Sequence, residues 1–168
     1  INDESAWVAM TMRPSGLPVV VYSDWTEGYE KDQLFVAWCA DPECSSWTTE
    51  KIDETDWFNS TTRIASRPDG SVVIVYQNGN YYVSVISCAA GTCEGASPVQ
   101  IDSLVDPNDN EWGLRWWMNS LDVDVLPDGR PVIAAAQNNG ELRYVECTDR
   151  SCTDSKRVTI DQTLEGVT

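Results

Sequence analysis

Six cysteines stand in three identical frames: Cys39 and Cys44, Cys88 and Cys93, Cys147 and Cys152, each pair separated by four residues. Thiol pairs can bind zinc, remain reduced or bridge. Zinc needs four ligands, normally two such pairs brought together. Here the pairs are odd in number, they lie far apart in the chain, and histidine is absent. A hairpin turn spanning four residues can bring two Cα atoms within about 7 Å, close enough to bridge. Three local disulfides are therefore expected, and with them an oxidising compartment, extracellular or at the cell surface.

The absence of histidine also removes Ser-His-Asp and Cys-His catalysis. Three other kinds of chemistry remain. Tryptophan beside carboxylates and amides suits sugars: the indole face stacks on the C–H side of a pyranose, while Asp, Asn and Glu take its hydroxyls. Trp7, Trp25, Trp57, Trp112, Trp116 and Trp117 lie in such surroundings, with Asp24 and Glu27 flanking Trp25 and Asp56 beside Trp57. Asp106, Asn108, Asp109 and Glu111 cluster oxygen ligands that Ca²⁺ accepts, although their spacing is not that of an EF-hand. No other cofactor is indicated. Paired carboxylates could also serve a glycosidase, but nothing in the pattern selects one pair over another.

The segments that must position these residues repeat. RPSGLPVVVY, LFVAWCADPEC and TTEKID in the first third correspond to RPDGSVVIVY, VSVISCAAGTC and SPVQID in the second. LPDGRPVIAA, LRYVECTDRSC and KRVTID follow in the last. From the first cysteine to the closing Asp is 14 residues every time, to Asp53, Asp102 and Asp161. From the turn proline to the first cysteine is 25, 20 and 20 residues, so the first repeat carries a five-residue insertion, which contains Trp25. The repeats span about 4–53, 54–102 and 103–161, with 162–168 a tail or the start of another connection.

Each repeat reads as four short strands. The first precedes the P-S/D-G turn (Val8–Met12, Thr62–Ser66, Leu121–Val125) and the second follows it (Val19–Tyr22, Val72–Tyr76, Val132–Ala136). The third enters the first cysteine, and the fourth ends at the Ile-Asp pair. Val, Ile, Tyr and Thr dominate, with Gly, Pro, Asn and Asp as punctuation. Asn78-Gly79 reads as a hairpin turn. The second strands are apolar on both faces, the pattern of a sheet covered on both sides. Small sheets of about 50 residues set radially give that condition in a β-propeller. The expected fold is all-β: three four-stranded antiparallel blades of a partial propeller, with a β-sandwich as the alternative.

The frame P-S/D-G-x-P-V-x-x-Y followed by L-x-V-x-x-C-x4-C resembles tandem repeats of secreted bacterial β-propeller-like proteins, most clearly as PSGLPVVVY and LFVAWCADPEC in the first repeat. The third departs from it, with Ala134-Ala135-Ala136 around the aromatic position. The resemblance covers nearly the whole chain. It implies an exported propeller, often part of a longer protein, and no particular ligand.

A net charge of −16 argues against nucleic acid and anionic membranes as partners. No apolar run is long enough to span a bilayer, and INDESAWVAM carries no leader pattern. Propellers close with about four to eight blades, so a homo-oligomer, or a longer chain that completes the ring, is expected. Loops that vary in length on a constant scaffold are the usual binding site. Those between second and third strands share one end of the sheets with the connections between repeats. A non-catalytic binding module with a Trp- and acid-rich loop face, lectin-like or peptide-binding, is the favoured function. A self-assembling subunit of a ring, sheath or fibre and a carboxylate-dependent glycosidase are the alternatives.

Overall fold

The computed structural model describes residues 7–24, 32–55, 59–78, 82–103, 120–136 and 141–161. They form twelve strands in three four-stranded antiparallel sheets, each a meander in chain order. Sheet I contains β1 (Val8–Met12), β2 (Pro18–Asp24), β3 (Asp32–Cys39) and β4 (Trp47–Thr55). Sheet II contains β5 (Asn59–Ser66), β6 (Val72–Gln77), β7 (Tyr82–Cys88) and β8 (Val99–Ser103). Sheet III contains β9 (Leu121–Val125), β10 (Pro131–Ala136), β11 (Leu142–Cys147) and β12 (Ser155–Asp161). The twelve expected strands are present, with ends shifted by up to three residues. Trp47 opens β4 opposite Cys39.

The three P-S/D-G turns fold alike. In each, the residue before proline accepts the glycine amide: Arg13 O from Gly16 at 2.8 Å, Arg67 O from Gly70 at 2.9 Å, Leu126 O from Gly129 at 2.8 Å. Proline sets φ for the second turn position. The glycines have φ of +79°, +82° and +86°, the left-handed residue that returns the chain to the ladder as a bulge. At the same end of each sheet, a disulfide closes the third and fourth strands. Cys39–Cys44, Cys88–Cys93 and Cys147–Cys152 have Cα separations of 4.8, 4.4 and 4.8 Å. These three bridges fit a non-reducing environment.

Sheet II lies between the other two, and β5 packs against both β1 and β9. Strand alternation divides its side chains. Ile64, Ile74, Tyr76 and Ile86 join Val19, Val21 and Val36 of sheet I in one apolar cluster. Val73, Val75, Val85 and Ile101 join Leu121, Ile133 and Val145 of sheet III in the other. The two-faced apolar pattern therefore has a direct cause in sheet II, where every residue of β6 is buried. β2 and β10, in the outer sheets, alternate instead. β12 is largely exposed.

Candidate functional site

Antiparallel meanders have two ends. One carries the glycine turns and the disulfides. The other carries Trp7, Asp24 and the places where the chain leaves β2, β6 and β10 and passes from sheet to sheet. The candidate binding face expected from the sequence belongs to this second, loop-bearing end.

There, Trp7 is held to Ser23, the residue before Asp24. The Trp7 amide donates to Ser23 Oγ at 3.2 Å, and the Ser23 amide donates to the Trp7 carbonyl at 3.0 Å. Asp24 follows Ser23 directly and closes β2 opposite Gln33. Trp7 is 42% exposed and Asp24 is exposed; because Trp7 pairs with Ser23, strand alternation sets the two side chains on opposite faces of the sheet. Trp25, Glu27, Asp56, Trp57, Trp112, Trp116 and Trp117 lie outside the described residues, as do Asp106, Asn108, Asp109 and Glu111. Among the described residues, no group of three or more His, Cys, Asp or Glu side chains is placed to hold a metal.

Three further residues at this end carry buried polar atoms. Thr61 Oγ1, Thr62 Oγ1 and Gln77 Nε2 are buried without a hydrogen-bond partner. A Thr-Thr pair and a terminal Gln in strands otherwise rich in Val and Ile read simply as strand ends. Next to them the Tyr76 hydroxyl donates to Asp53 Oδ2 across the boundary between sheets I and II. Burial, and then this bond, push the Tyr76 phenol far above its usual range.

The turn end is built differently. Asp41 accepts the Ser45 amide at 2.8 Å and the Ser45 hydroxyl at 2.7 Å, which hold its carboxyl at about 2. Asp69 is lowered by the Ser71 hydroxyl and by Arg150, and Asp149 by the Thr153 hydroxyl and neighbouring amides. These carboxylates stay ionised as acceptors that fix turns. A general acid working near neutrality needs the opposite, a raised pKa. A shallow cavity of about 400 Å³ lies where the three glycine turns converge, lined by Pro14, Pro68 and Pro127 with Arg13, Arg67 and Leu126. Both guanidinium groups there are engaged. Arg13 Nη2 donates to Cys39 O at 2.8 Å and stacks over Trp38, with Cζ 5.5 Å from the ring centroid. Arg67 Nε donates to Gly129 O and Nη2 to Arg150 O, both at 2.7 Å.

No protein-family model matches the chain, and a search of curated proteins finds no match. Function is therefore argued from this geometry.

Proposed function

We propose that the chain is an extracellular, non-catalytic binding module, built on consecutive blades of a β-propeller, whose loop-bearing end takes a glycan or a peptide. The blade reading is supported by three meander sheets stacked in chain order, with β1, β5 and β9 succeeding one another and the middle sheet covered on both faces. The ligand reading rests on one observation: a partly exposed tryptophan, Trp7, held by its backbone to Ser23 at the loop-bearing end of sheet I. A rigid aromatic anchor costs little entropy to use. Trp25, which follows Asp24 in the insertion of the first repeat, extends the same aromatic and acidic series. The opposite end offers carboxylates already committed to turns and arginines committed to carbonyls, so it presents no comparable site.

A glycan array probed with the labelled chain, followed by titration of any hit against Trp25→Ala, tests this reading. Saturable binding that falls at least tenfold in the variant, with an unchanged melting curve, supports it. Failure to bind any glycan or peptide on a comparable array would sink it. Repeating the titration with a chelator asks whether Asp106, Asn108, Asp109 and Glu111 contribute a calcium ion.

A further inference from the structure

The Ile of each closing Ile-Asp pair reports what covers its sheet. Ile52 packs into the cluster shared by sheets I and II, and Ile101, shared with sheet III, is 5% exposed, whereas Ile160 of sheet III is 59% exposed. The complementary change occurs on sheet I. Thr62 and Ile64 of β5 are buried against sheet I, but the equivalent Val8 and Met10 of β1 are 66% and 65% exposed. Two sheet faces of matching kind are thus uncovered, one on sheet I and one on sheet III. Contiguous exposed apolar surface of this sort marks an interaction site.

The occupant of such a face is visible twice inside the molecule: it is the opposite face of another copy of the same repeat. We propose that the uncovered face of sheet III receives the uncovered face of sheet I from a second copy of this chain, head to tail. This stands apart from the ligand-binding reading, which concerns the loop end.

The detailed pairings agree. At the boundary of sheets I and II, Glu50 accepts the Cys93 amide at 2.8 Å. At the boundary of sheets II and III, apolar Val99 takes the place of Glu50. The facing Cys152 has φ +59° and turns its amide onto Asp149 O at 3.3 Å, so it needs no carboxylate from its neighbour. The proposed junction repeats this second arrangement. Val158 of sheet III stands where Val99 does, and Cys44 of sheet I has φ +52° with its amide on Asp41 O at 3.1 Å. The first arrangement supplies another match: Tyr22 and Asp161 occupy the positions of Tyr76 and Asp53, whose hydrogen bond joins sheets I and II. Side-chain sizes are also complementary. Ala134 is smaller than Val21 and Val75 at its position, and Met10 is longer than Ile64 at its own.

A head-to-tail junction and a symmetric one are separated by a mixing experiment. Two copies joined at both junctions form a closed pair, because each supplies one face of each kind. Sedimentation velocity of the chain at about 1 M salt, where repulsion between acidic copies is screened within about 3 Å, should give at least twice the 18.7 kDa chain mass. Met10→Glu blocks only the sheet I face and Ala134→Glu only the sheet III face. Each variant alone should sediment as a single chain, and an equimolar mixture should recover a pair, since one intact junction survives between the two. Both positions are exposed, so far-ultraviolet circular dichroism and melting should match the parent. Val8→Glu and Val158→Glu serve as a second pair should either first variant misfold. A monomeric parent, a variant that still self-associates, or a mixture that stays monomeric overturns the proposal.

Discussion

Tyr76 donates its hydroxyl to Asp53 Oδ2, tying β6 of sheet II to β4 of sheet I. The phenol is buried while its acceptor is only half-buried. Removing the hydroxyl leaves the carboxylate without this donor in a partly desolvated place. Tyr76→Phe should therefore cost about 1–3 kcal/mol in chemical denaturation. The pH dependence has a definite sign. Tyr76 is raised above its usual 10.0 in the folded state, by burial first and by Asp53 second. The unfolded chain loses the proton first, so the contribution is complete below pH 10 and is lost as pH rises beyond it. The parent should lose stability there by up to about 1.4 kcal/mol per pH unit from this group. Tyr76→Phe should lack that component, and an unchanged alkaline slope in the variant would count against the assignment.

Arg67 locks sheets II and III. It is 2% exposed and reaches Gly129 O and Arg150 O in sheet III, with Val72 O and Ser87 Oγ in sheet II, both at 3.1 Å. Burial lowers its pKa, yet it remains cationic at every ordinary pH. Hydrogen bonds from a charged donor to buried carbonyls are the stronger kind. Arg67→Leu should cost about 3 kcal/mol or more, whereas Arg13→Leu, whose group is only half-buried and stays within sheet I, should cost clearly less. Equal melting temperatures for the two variants would contradict this division.

The disulfides close very short loops, each with a sequence separation of 5. Chain-entropy arguments give about 2 kcal/mol for one such bridge. Peptide mapping without reductant should return the three local pairs and no free thiol. Replacing both Cys88 and Cys93 by Ser should lower stability by about 2 kcal/mol and also open a gap, because both sulfurs lie in the cluster between sheets I and II. A loss well below that of an equivalent Cys39 and Cys44 replacement would show that the packing adds nothing.

Acid should act through the turns. The Ser45 amide and hydroxyl hold Asp41 at about 2, against 3.8 for an ordinary aspartate. A lowered carboxylate stabilises the fold above its unfolded value and ceases to as pH falls through its folded one. The contribution of Asp41 is thus lost between about pH 3.8 and 2, and those of Asp69 and Asp149, also lowered, fade on the same side. Melting temperature should decline across this window in the parent, and less steeply in Asp41→Asn. A decline of the same steepness in the variant would remove Asp41 as a cause.

Much of the scaffold is legible in the residues. The P-S/D-G frame demands a left-handed glycine, so three turns and the strands beside them could be placed. The C-x4-C spacing permits little but a hairpin bridge. The contacts between sheets are less legible, because they depend on which neighbour a side chain meets. Arg13 and Arg67 occupy the same repeat position, yet one caps its own sheet and the other crosses to the next. In the third repeat Leu126 replaces that arginine, and Arg130, four residues on, reaches Cys147 O at 3.1 Å as Arg13 reaches Cys39 O. The swap is invisible to a position-by-position comparison of repeats. Trp47 and Trp38 likewise look similar in sequence, but one is exposed at the start of β4 and the other is buried in β3.

Trp7 offers the most direct check on the loop-bearing end. Its ring is partly exposed, and its backbone, not its side chain, holds it to Ser23. Truncation removes the ring but leaves both backbone bonds in place. Trp7→Ala should therefore change stability by no more than about 0.5 kcal/mol, as at ordinary surface positions. An aromatic anchor at a binding surface costs about 2 kcal/mol or more when truncated, which is a loss of roughly thirtyfold in affinity. Asp24→Asn, with the ring intact, should weaken binding less, since the amide keeps one acceptor for a hydroxyl. Melting curves and a titration with the ligand that the array identifies measure both quantities on the same samples. A large fall in melting temperature with undiminished affinity among folded molecules would make Trp7 a packing residue and move the binding face elsewhere.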